Sequence, residues 1–269
     1  MGVLNVTPDS FSDGGRFDSL ETAVSHAERM IAEGADILDI GGESTRPATF
    51  DGAETLSEEE ECSRILPVIQ EVARLFPATP ISVDTYKAKV AERALACGAV
   101  MLNDISAFRA DPDMLGLAVR CQVPICLMHL LGLPKAIPLK PQYEDVATEV
   151  REHLRAQADL ALRAGLAREN ILLDPGFGFG KTVQQNLALL RRLRELVELG
   201  YPVLVGTSRK STLGKVLGDL PPHERLEGTA ATVALSIANG ASIVRVHDVK
   251  EMARVAKMSV AVVYGWEEA

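Results

Sequence analysis

The sequence has little of what marks membrane, secreted or nucleic-acid-binding proteins. No apolar run approaches the roughly 20 residues of a membrane-spanning helix, and the first residues lack the basic segment and apolar stretch of a signal peptide. The 4 cysteines include no Cys-x-x-Cys pair, which favours reduced thiols in a cytoplasmic protein. A net charge of −9 at pH 7 provides no general basic surface for nucleic acid or a membrane. An anionic small substrate would therefore need a local cationic pocket.

Apolar, β-branched runs alternate with segments of helical periodicity along the whole chain. Their apolar residues are continuous rather than alternating, as in parallel strands that are buried on both faces. The runs cover residues 3–6, 37–40, 81–84, 100–105, 123–128, 171–174, 203–206 and 243–246. An open doubly wound sheet usually has about five or six strands, so these eight units predict a single-domain α/β barrel of the (β/α)₈ or TIM type over residues 1–269.

Capping residues mark the boundaries of the predicted helices. Asp18 with Glu21, and Ser57 with Glu60, have the spacing of a capping box and predict two helix starts. Glycine follows several helix ends, where its tolerance of a left-handed backbone suits the C′ position. These glycines are Gly34, Gly98, Gly165, Gly200 and Gly240. Because each parallel strand is followed by a helix, all strands end at one rim, where barrel enzymes have their active sites.

Polar side chains stand at the predicted strand ends, where a packed barrel would need apolar ones. Asp39, Asp84, Asn103 and Asp174 each end or nearly end an apolar run. A carboxylate among apolar side chains costs several kcal/mol unless it is paired or hydrogen-bonded. Together these residues would form a ring of acceptors around a flat heterocycle that carries N–H donors.

The last strand supplies the local cationic pocket. Arg245 and His247 are two residues apart, so their side chains point the same way from the strand. An arginine fork beside an imidazole suits a phosphate-type anion. In a closed barrel the first strand pairs with the last, which brings Asn5 alongside. Arg209 faces away from Lys210 and is expected to form a salt bridge.

The glycine-rich segment after the sixth run does not match a nucleotide-binding motif. A phosphate loop ending at Thr182 would need glycine at position 175, which is proline, and a dinucleotide fingerprint would need glycine at 181, which is lysine. We expect a loop that presents Phe179 to a ligand. No His, Cys or Glu cluster has zinc spacing, so a metal would be a hard ion such as Mg²⁺, held partly by substrate phosphates.

Seven segments at the strand ends resemble the dihydropteroate synthases, in the order of that family and over essentially the whole chain. They are MGVLNVTPDSFSDGG (1–15), DIGGESTRP (39–47), SVDT (82–85), NDIS (103–106), DPGFGFGK (174–181), GTSRKS (206–211) and RVHD (245–248). The resemblance implies a transferase of folate biosynthesis. It would join p-aminobenzoate to 6-hydroxymethyl-7,8-dihydropterin pyrophosphate, by Mg²⁺-assisted loss of pyrophosphate and attack of the aromatic amine. It also implies a homodimer and inhibition by sulfonamides.

The resemblance assigns roles residue by residue. The residues expected to bind the pterin are Asp84, Asn103, Asp174, Lys210 and Met128. Those expected to hold the pyrophosphate are Asn5, Thr45, Arg245 and His247, with Asn5 also a ligand of Mg²⁺. The p-aminobenzoate site would comprise Thr45, Arg46, Pro47, Phe179 and Ser208. The catalytic residues would be Lys210, Arg245, His247, Asp84 and Asp174.

Two other functions fit parts of the pattern. A pterin-dependent methyltransferase acting on a corrinoid partner shares the barrel and an Asp/Asn pterin site, but a methyl donor has no pyrophosphate for Arg245 and His247 to hold. A catalytically idle homologue that binds pterin as a sensor would be expected to have lost loop or anion-binding residues, and each of them is present.

Overall fold

A ring of short parallel strands forms the centre of the molecule. The computed structural model describes residues 1–7, 16–43, 56–134 and 141–266, and the side chains of 16–19 are outside the description. Within these ranges the strands are β1 (Gly2–Asn5), β2 (Leu38–Gly41), β3 (Ile81–Asp84), β4 (Met101–Asp104), β5 (Ile125–Met128), β6 (Ile171–Asp174), β7 (Leu204–Val205) and β8 (Ile243–Val244). Each lies within or next to one of the predicted apolar runs.

The strands pair in chain order. Strands β1 to β6 form one parallel sheet, and β7 pairs in parallel with β8. Single parallel bridges connect the two sheets, between Leu173 and Val203 on one side and between Gly2 and Val246 on the other. The backbone N–H of Val3 donates to the oxygen of Val246 at 3.0 Å. The eight strands therefore close into the predicted TIM barrel, with β1 beside β8.

Helices follow the strands and cover the outside of the ring. In the described ranges they are α1 (Arg16–Ala32), α2 (Glu58–Leu75), α3 (Ala88–Ala96), α4 (Asp113–Cys121), α5 (Val146–Ala164), α6 (Val183–Arg191), α7 (Leu193–Val197), α8 (Ser211–Val216), α9 (Leu226–Ala238) and α10 (Val249–Tyr264). Among the described residues, no helix has the length and apolarity to cross a membrane.

Local sequence signals set most of the helix ends. Ser57 is the N-cap of α2, and its hydroxyl accepts from the N–H of Glu60 at 3.1 Å. The predicted C′ glycines all have positive φ, from 75° at Gly200 to 113° at Gly98. The predicted cap at Asp18 is wrong, because α1 begins at Arg16 and includes that residue. An aspartate is also favourable inside the first turn, next to the positive end of the helix dipole.

The inside of the barrel changes from apolar to polar along the strands. Its floor is a separate apolar cluster, made of Met1, Met101, Cys126, Leu172 and Leu204, with Ile37 and Ile243 packed against it. Since side chains alternate along a strand, the residues two positions further on also face inward. Among these are Asp39, Asn103, Asp174 and Arg245. The fold thus places a polar layer directly above an apolar floor, at the carboxyl ends of the strands.

Candidate active site

Arg245 of the β8 end is the centre of a polar network inside the barrel. Its Nε donates to Oδ2 of Asp39 at 2.6 Å, and its Nη2 donates to Oδ2 of Asp84 at 2.7 Å. Asn103 donates to the same Asp39 oxygen at 3.0 Å. Three strands and β8 thus contribute one connected group, whose members lie up to 206 residues apart in sequence.

The network holds two carboxylates against one guanidinium. Asp39 is 0% exposed, and its Oδ1 has no hydrogen-bond partner among the described residues. Burial raises the pKa of Asp84 to about 7; the charge of Arg245 opposes this rise and that of Asp39 adds to it. Burial also opposes the charge on Arg245, but the two carboxylates outweigh it and raise the pKa of the guanidinium. The site therefore keeps a fixed positive charge and an acceptor that titrates near neutrality.

Asp174 and Lys210 form the second half of the polar layer. Oδ1 of Asp174 accepts from the N–H of Gly176 at 2.7 Å. Burial raises the pKa of Asp174, against the opposing charge of Lys210. Burial also lowers the pKa of Lys210 to about 8, with Asp174 opposing. The Lys210 ammonium donates to the oxygen of Phe177 and lies 4.2 Å from the ring centroid of Phe179.

Glycines let the β6–α6 loop pass close to these side chains. Gly176, Gly178 and Gly180 all have positive φ, between 61° and 84°. A Cβ at Gly176 would lie 1.9 Å from the backbone oxygen of His129, and one at Gly178 would lie 2.8 Å from Cδ of Lys210. Only glycine fits at Gly176, so the repeated glycines predicted as a loop serve close packing around Asp174 and Lys210.

His247 lies on the β1 and β8 side of the rim. Its backbone N–H donates to Oγ of Ser208 at 3.1 Å, and its Nδ1 lies 3.0 Å from the same oxygen. A cavity of about 400 Å³ opens beside it, lined by Asn5, His247, Arg209, Asp248 and by residues of α1 and α10. Arg209 forms the expected salt bridge, with Asp248.

The predicted site residues fall into three groups. Asp84, Asn103, Asp174, Lys210 and Arg245 are brought together in the barrel, and Met128 lies in a small buried apolar cluster against which Phe179 packs. Asn5 and His247 line the cavity at the rim. Thr45, Arg46 and Pro47 lie outside the described residues. The predicted pairing of Arg245 with His247 on one anion stays a prediction, since Arg245 here binds Asp39 and Asp84.

The sequence analysis missed a buried lysine, Lys87, which follows β3 in sequence and lies near the end of β2. Lys87 Nζ donates to Oε2 of Glu43 at 2.8 Å, to Oε2 of Glu61 at 2.5 Å and to the oxygen of Leu56 at 2.8 Å. Tyr86 donates to the same Glu43 oxygen at 3.0 Å. Glu61 is only 1% exposed, and a carboxylate buried on a helix face is a signal that it has a partner. That partner cannot be read from spacing.

Lys181, at the end of the loop, was noted in the sequence only as a departure from a nucleotide-binding motif. Its Nζ lies within 3.0 Å of three acceptors: Nδ1 of His129 at 3.0 Å, and the oxygens of Gly176 and Phe179, each at 2.9 Å. His129 is itself buried, at 5% exposure. Burial lowers the pKa of His129 to about 2, and the charge of Lys181 adds to this.

Known proteins match this chain over most of its length. The family model described as pterin binding enzyme matches residues 1–247. The dihydropteroate synthase of Bacillus subtilis is 52% identical over 258 residues, which is 96% of this chain and 86% of that protein. The dihydropteroate synthase of Escherichia coli K12 is 48% identical over 251 residues, covering 93% and 86% of the two chains.

Solved structures agree with the sequence relatives. A crystal structure of dihydropteroate synthase from Clostridium difficile in the presence of pteroic acid is 46% identical, with a TM-score of 0.89 and coverage of 97% and 95%. The Yersinia pestis dihydropteroate synthase in a sulfonamide drug complex is 42% identical, with a TM-score of 0.90 and coverage of 99% and 94%. Together with the polar layer inside the barrel, these matches show that the chain belongs to the dihydropteroate synthase family of pterin-binding enzymes.

Proposed function

We propose that the chain, as one catalytic domain, condenses p-aminobenzoate with 6-hydroxymethyl-7,8-dihydropterin pyrophosphate to give 7,8-dihydropteroate and pyrophosphate. The observation that carries the proposal is the polar layer of Asp84, Asn103 and Asp174 with Lys210 above an apolar floor. Support comes from relatives of known structure, among them a Xanthomonas albilineans dihydropteroate synthase in complex with 7,8-dihydropteroate at 42% identity. Another structure from that organism holds 4-aminobenzoic acid.

The pterin is assigned to the centre of the barrel. Its pyrimidine edge carries N–H groups, and the carboxylates of Asp84 and Asp174 and the amide of Asn103 offer acceptors for them. Lys210, held beside the Phe179 ring, donates to an acceptor atom of the bicycle. Met128 supplies apolar contact to a ring face from the cluster that includes Phe179. A planar, donor-rich ring is the ligand that this arrangement satisfies.

The pyrophosphate is assigned to the rim between β1 and β8, with Asn5 and His247 lining the adjacent cavity. Arg245 contributes positive charge from the barrel side, and Thr45 is a further expected ligand. In the described part of the chain, no three His, Cys, Asp or Glu side chains converge as a metal site. An amide oxygen and phosphate oxygens are ligands that Mg²⁺ prefers, so the residues present fit Mg²⁺ held by the Asn5 amide oxygen together with phosphate oxygens. When bound, Mg²⁺ would neutralise charge on the pyrophosphate.

The p-aminobenzoate is assigned to the outer part of the site, next to Phe179 and Ser208. Thr45, Arg46 and Pro47 complete this assignment by family resemblance. An aromatic amine is nucleophilic when neutral, so the site needs no strong base to activate it. Ser208 is already held by its two contacts to His247, which connects the p-aminobenzoate side of the site to the pyrophosphate side.

The reaction breaks one C–O bond and forms one C–N bond. The bond between the pterin methylene carbon and the pyrophosphate oxygen breaks, and its electron pair leaves with pyrophosphate. The amine nitrogen of p-aminobenzoate then bonds to that carbon and releases one proton to solvent. Asp84 and Asp174 favour a cation spread over the pterin, and Arg245 and His247 stabilise the departing charge. Both effects are electrostatic stabilisation by groups already in position.

The test is pyrophosphate release from the dihydropterin pyrophosphate with Mg²⁺, with and without p-aminobenzoate. The proposal requires p-aminobenzoate-dependent release, formation of dihydropteroate and inhibition by a sulfonamide. Tight pterin binding without turnover would refute it and favour the idle pterin-binding homologue. Methyl transfer from a methylated pterin to a corrinoid protein, without pyrophosphate release, would favour the methyltransferase.

We also propose that the chain is a homodimer in the cytoplasm. Large apolar side chains are exposed on α10 and just after it: Met258 is 65% exposed, Val262 72%, and Trp266, beyond the helix end, 69%. A second copy covering this face would bury an apolar surface that water otherwise contacts. The proposed cytoplasmic location is supported by the cysteines, which are all free thiols, as in a reducing compartment. Light scattering after size exclusion should give twice the 28.9 kDa of the chain, and Val262→Lys should shift it toward the monomer. A monomeric wild-type protein would refute the dimer.

A further inference from the structure

Lys181 is a half-buried lysine that the proposed chemistry does not use. It lies between the β6–α6 loop and the end of β5, and Thr182, the next residue, caps α6. Its three close acceptors are His129 Nδ1, the Gly176 oxygen and the Phe179 oxygen. An ammonium has three donors, and these acceptors, with the His129 oxygen at 3.4 Å as a longer fourth contact, use all of them. Burial lowers the pKa of this ammonium to about 7, and its contacts connect the loop to His129.

The imidazole of His129 acts here as an acceptor. The ring is buried, and its low pKa keeps it neutral, so Nδ1 offers a lone pair to the ammonium. The backbone N–H of His129 donates to the oxygen of Asp174 at 2.9 Å, which continues the β5–β6 pairing beyond the strand end. Lys181 therefore attaches the loop to a part of the barrel whose own position is fixed by sheet hydrogen bonds.

The opposite side of the same loop contacts Lys210. The oxygen of Phe177 accepts from the Lys210 ammonium, and the Phe179 ring lies 4.2 Å from it. Residues 176–180 thus lie between two lysines, Lys181 next to the end of β5 and Lys210 next to Asp174. The carbonyls alternate accordingly: those of Gly176 and Phe179 point to Lys181, and that of Phe177 points to Lys210.

We propose that Lys181 is a positioning residue that sets the Phe177 carbonyl and the Phe179 ring, and through them holds Lys210 in its place at the substrate. The inference rests on the proposed function, because it takes Lys210 and Phe179 to contact the substrates. Without Lys181, the Phe179 oxygen and a buried imidazole nitrogen lose their donor, and the Gly176 oxygen keeps only the N–H of Phe179 at 3.1 Å. The loop must then rearrange to reach water, and Lys210 loses the carbonyl and ring that hold it.

The first test compares Lys181→Met with Lys89→Met. Lys89 is an exposed lysine paired with Glu58 at 3.2 Å, so its substitution is the matched control. We expect Lys181→Met to remain folded by circular dichroism while kcat/KM for p-aminobenzoate falls about 10–100-fold, the scale of a displaced catalytic group. Lys89→Met should keep wild-type kinetics. Unchanged kinetic constants in folded Lys181→Met would overturn the inference.

A double-mutant cycle separates positioning from a general structural role. If Lys181 acts through Lys210, then adding Lys181→Met to Lys210→Met should cost less than about 3-fold further, because the group it positions is already gone. An equal loss in both backgrounds would overturn the inference. If Lys181→Met does not fold, Lys181→Gln, which keeps two donors, enters the same cycle.

The same cycle measured as affinity for the dihydropterin pyrophosphate needs no turnover. Titration calorimetry with EDTA and without p-aminobenzoate gives this affinity for the wild type and the three variants of the cycle. A wild-type protein that forms no dihydropteroate refutes the proposed function. The affinity cycle still decides on Lys181, since coupling to Lys210 supports its role and additive losses contradict it.

Discussion

Replacing Arg245 by methionine should destabilise the fold strongly, because it leaves two buried carboxylates without their counter-charge. In the wild type one guanidinium donates to Asp39 at 2.6 Å and to Asp84 at 2.7 Å. The Arg245 side chain is 20% exposed, that of Asp84 11% and that of Asp39 0%, so water cannot replace the guanidinium without opening the barrel. Methionine fills a similar volume, which limits the effect of a cavity.

The expected loss follows from the cost of an uncompensated buried charge. Removing one partner of a buried ion pair costs about 3–5 kcal/mol. With a urea dependence of about 3 kcal/mol/M for a chain of this size, the unfolding midpoint should fall by roughly 1–2 M. Breaking a salt bridge on the surface costs about 1 kcal/mol of unfolding free energy or less. Arg120→Met is therefore the control, since Arg120 and Glu92 are 3.3 Å apart and more than half exposed.

The loss should depend on pH with a definite sign. Burial already raises the pKa of Asp84 to about 7 against the charge of Arg245, so the folded pKa of Asp84 in Arg245→Met should be higher still. Between the unfolded pKa of about 4 and the folded pKa, the folded state binds more protons than the unfolded state, so stability falls as pH rises. In the wild type this fall ends near pH 7, and in the variant it continues above that pH. The deficit relative to the wild type should accordingly be larger at pH 7.5 than at pH 5, and Asp39→Asn in the variant should recover part of it.

Urea unfolding followed by far-UV circular dichroism at pH 5 and pH 7.5 measures the loss of stability and its pH dependence. A midpoint within a few tenths of 1 M of the wild type would refute the reasoning, as would a deficit that grows on acidification. Either result would mean that Asp39 and Asp84 find another counter-charge once Arg245 is removed.

Three further predictions concern the loops and the titration of the site. Lys87→Met should raise KM for p-aminobenzoate about 10-fold with little change for the pterin. The reason is that Lys87 contacts Glu43 and Leu56, which flank in sequence the segment with the expected p-aminobenzoate residues 45–47. Lys89→Met is the control, and an equal change of KM for both substrates contradicts the prediction. Pterin affinity should fall as pH rises through about 8, where Lys210 loses its proton, and Lys210→Arg should move this loss to higher pH; an unshifted profile contradicts it. Gly176→Ala should cost more than about 1 kcal/mol of unfolding free energy and most of the activity, since its Cβ meets a backbone oxygen at 1.9 Å; Gly218→Ala, also at positive φ but in open space, should keep its activity, and equal activities contradict the steric argument.

The architecture could be predicted from the sequence because its signals are local and repeated. Each apolar run is long enough to form a buried strand, and each polar residue at a run's end comes out at the same rim once the strands are parallel. Asp84, Asn103 and Asp174 were predicted in this way, and all three lie in the polar layer. The start of α1 was predicted wrongly, since an aspartate suits the cap and the first turn alike.

Which side chains pair with one another inside the barrel was decided by the tertiary structure alone. Periodicity gives the direction in which Arg245 points, but only closure of the ring brings Asp39 and Asp84 within reach of it, 206 and 161 residues away in sequence. Lys181 likewise meets His129 across 52 residues because the β5 and β6 ends are neighbours. Spacing rules hold within one helix or strand, whereas contacts between strand ends depend on the ring of eight strands and on how each side chain fills it. The sequence therefore determined the barrel and its polar rim, and the tertiary structure determined which charges neutralise one another there.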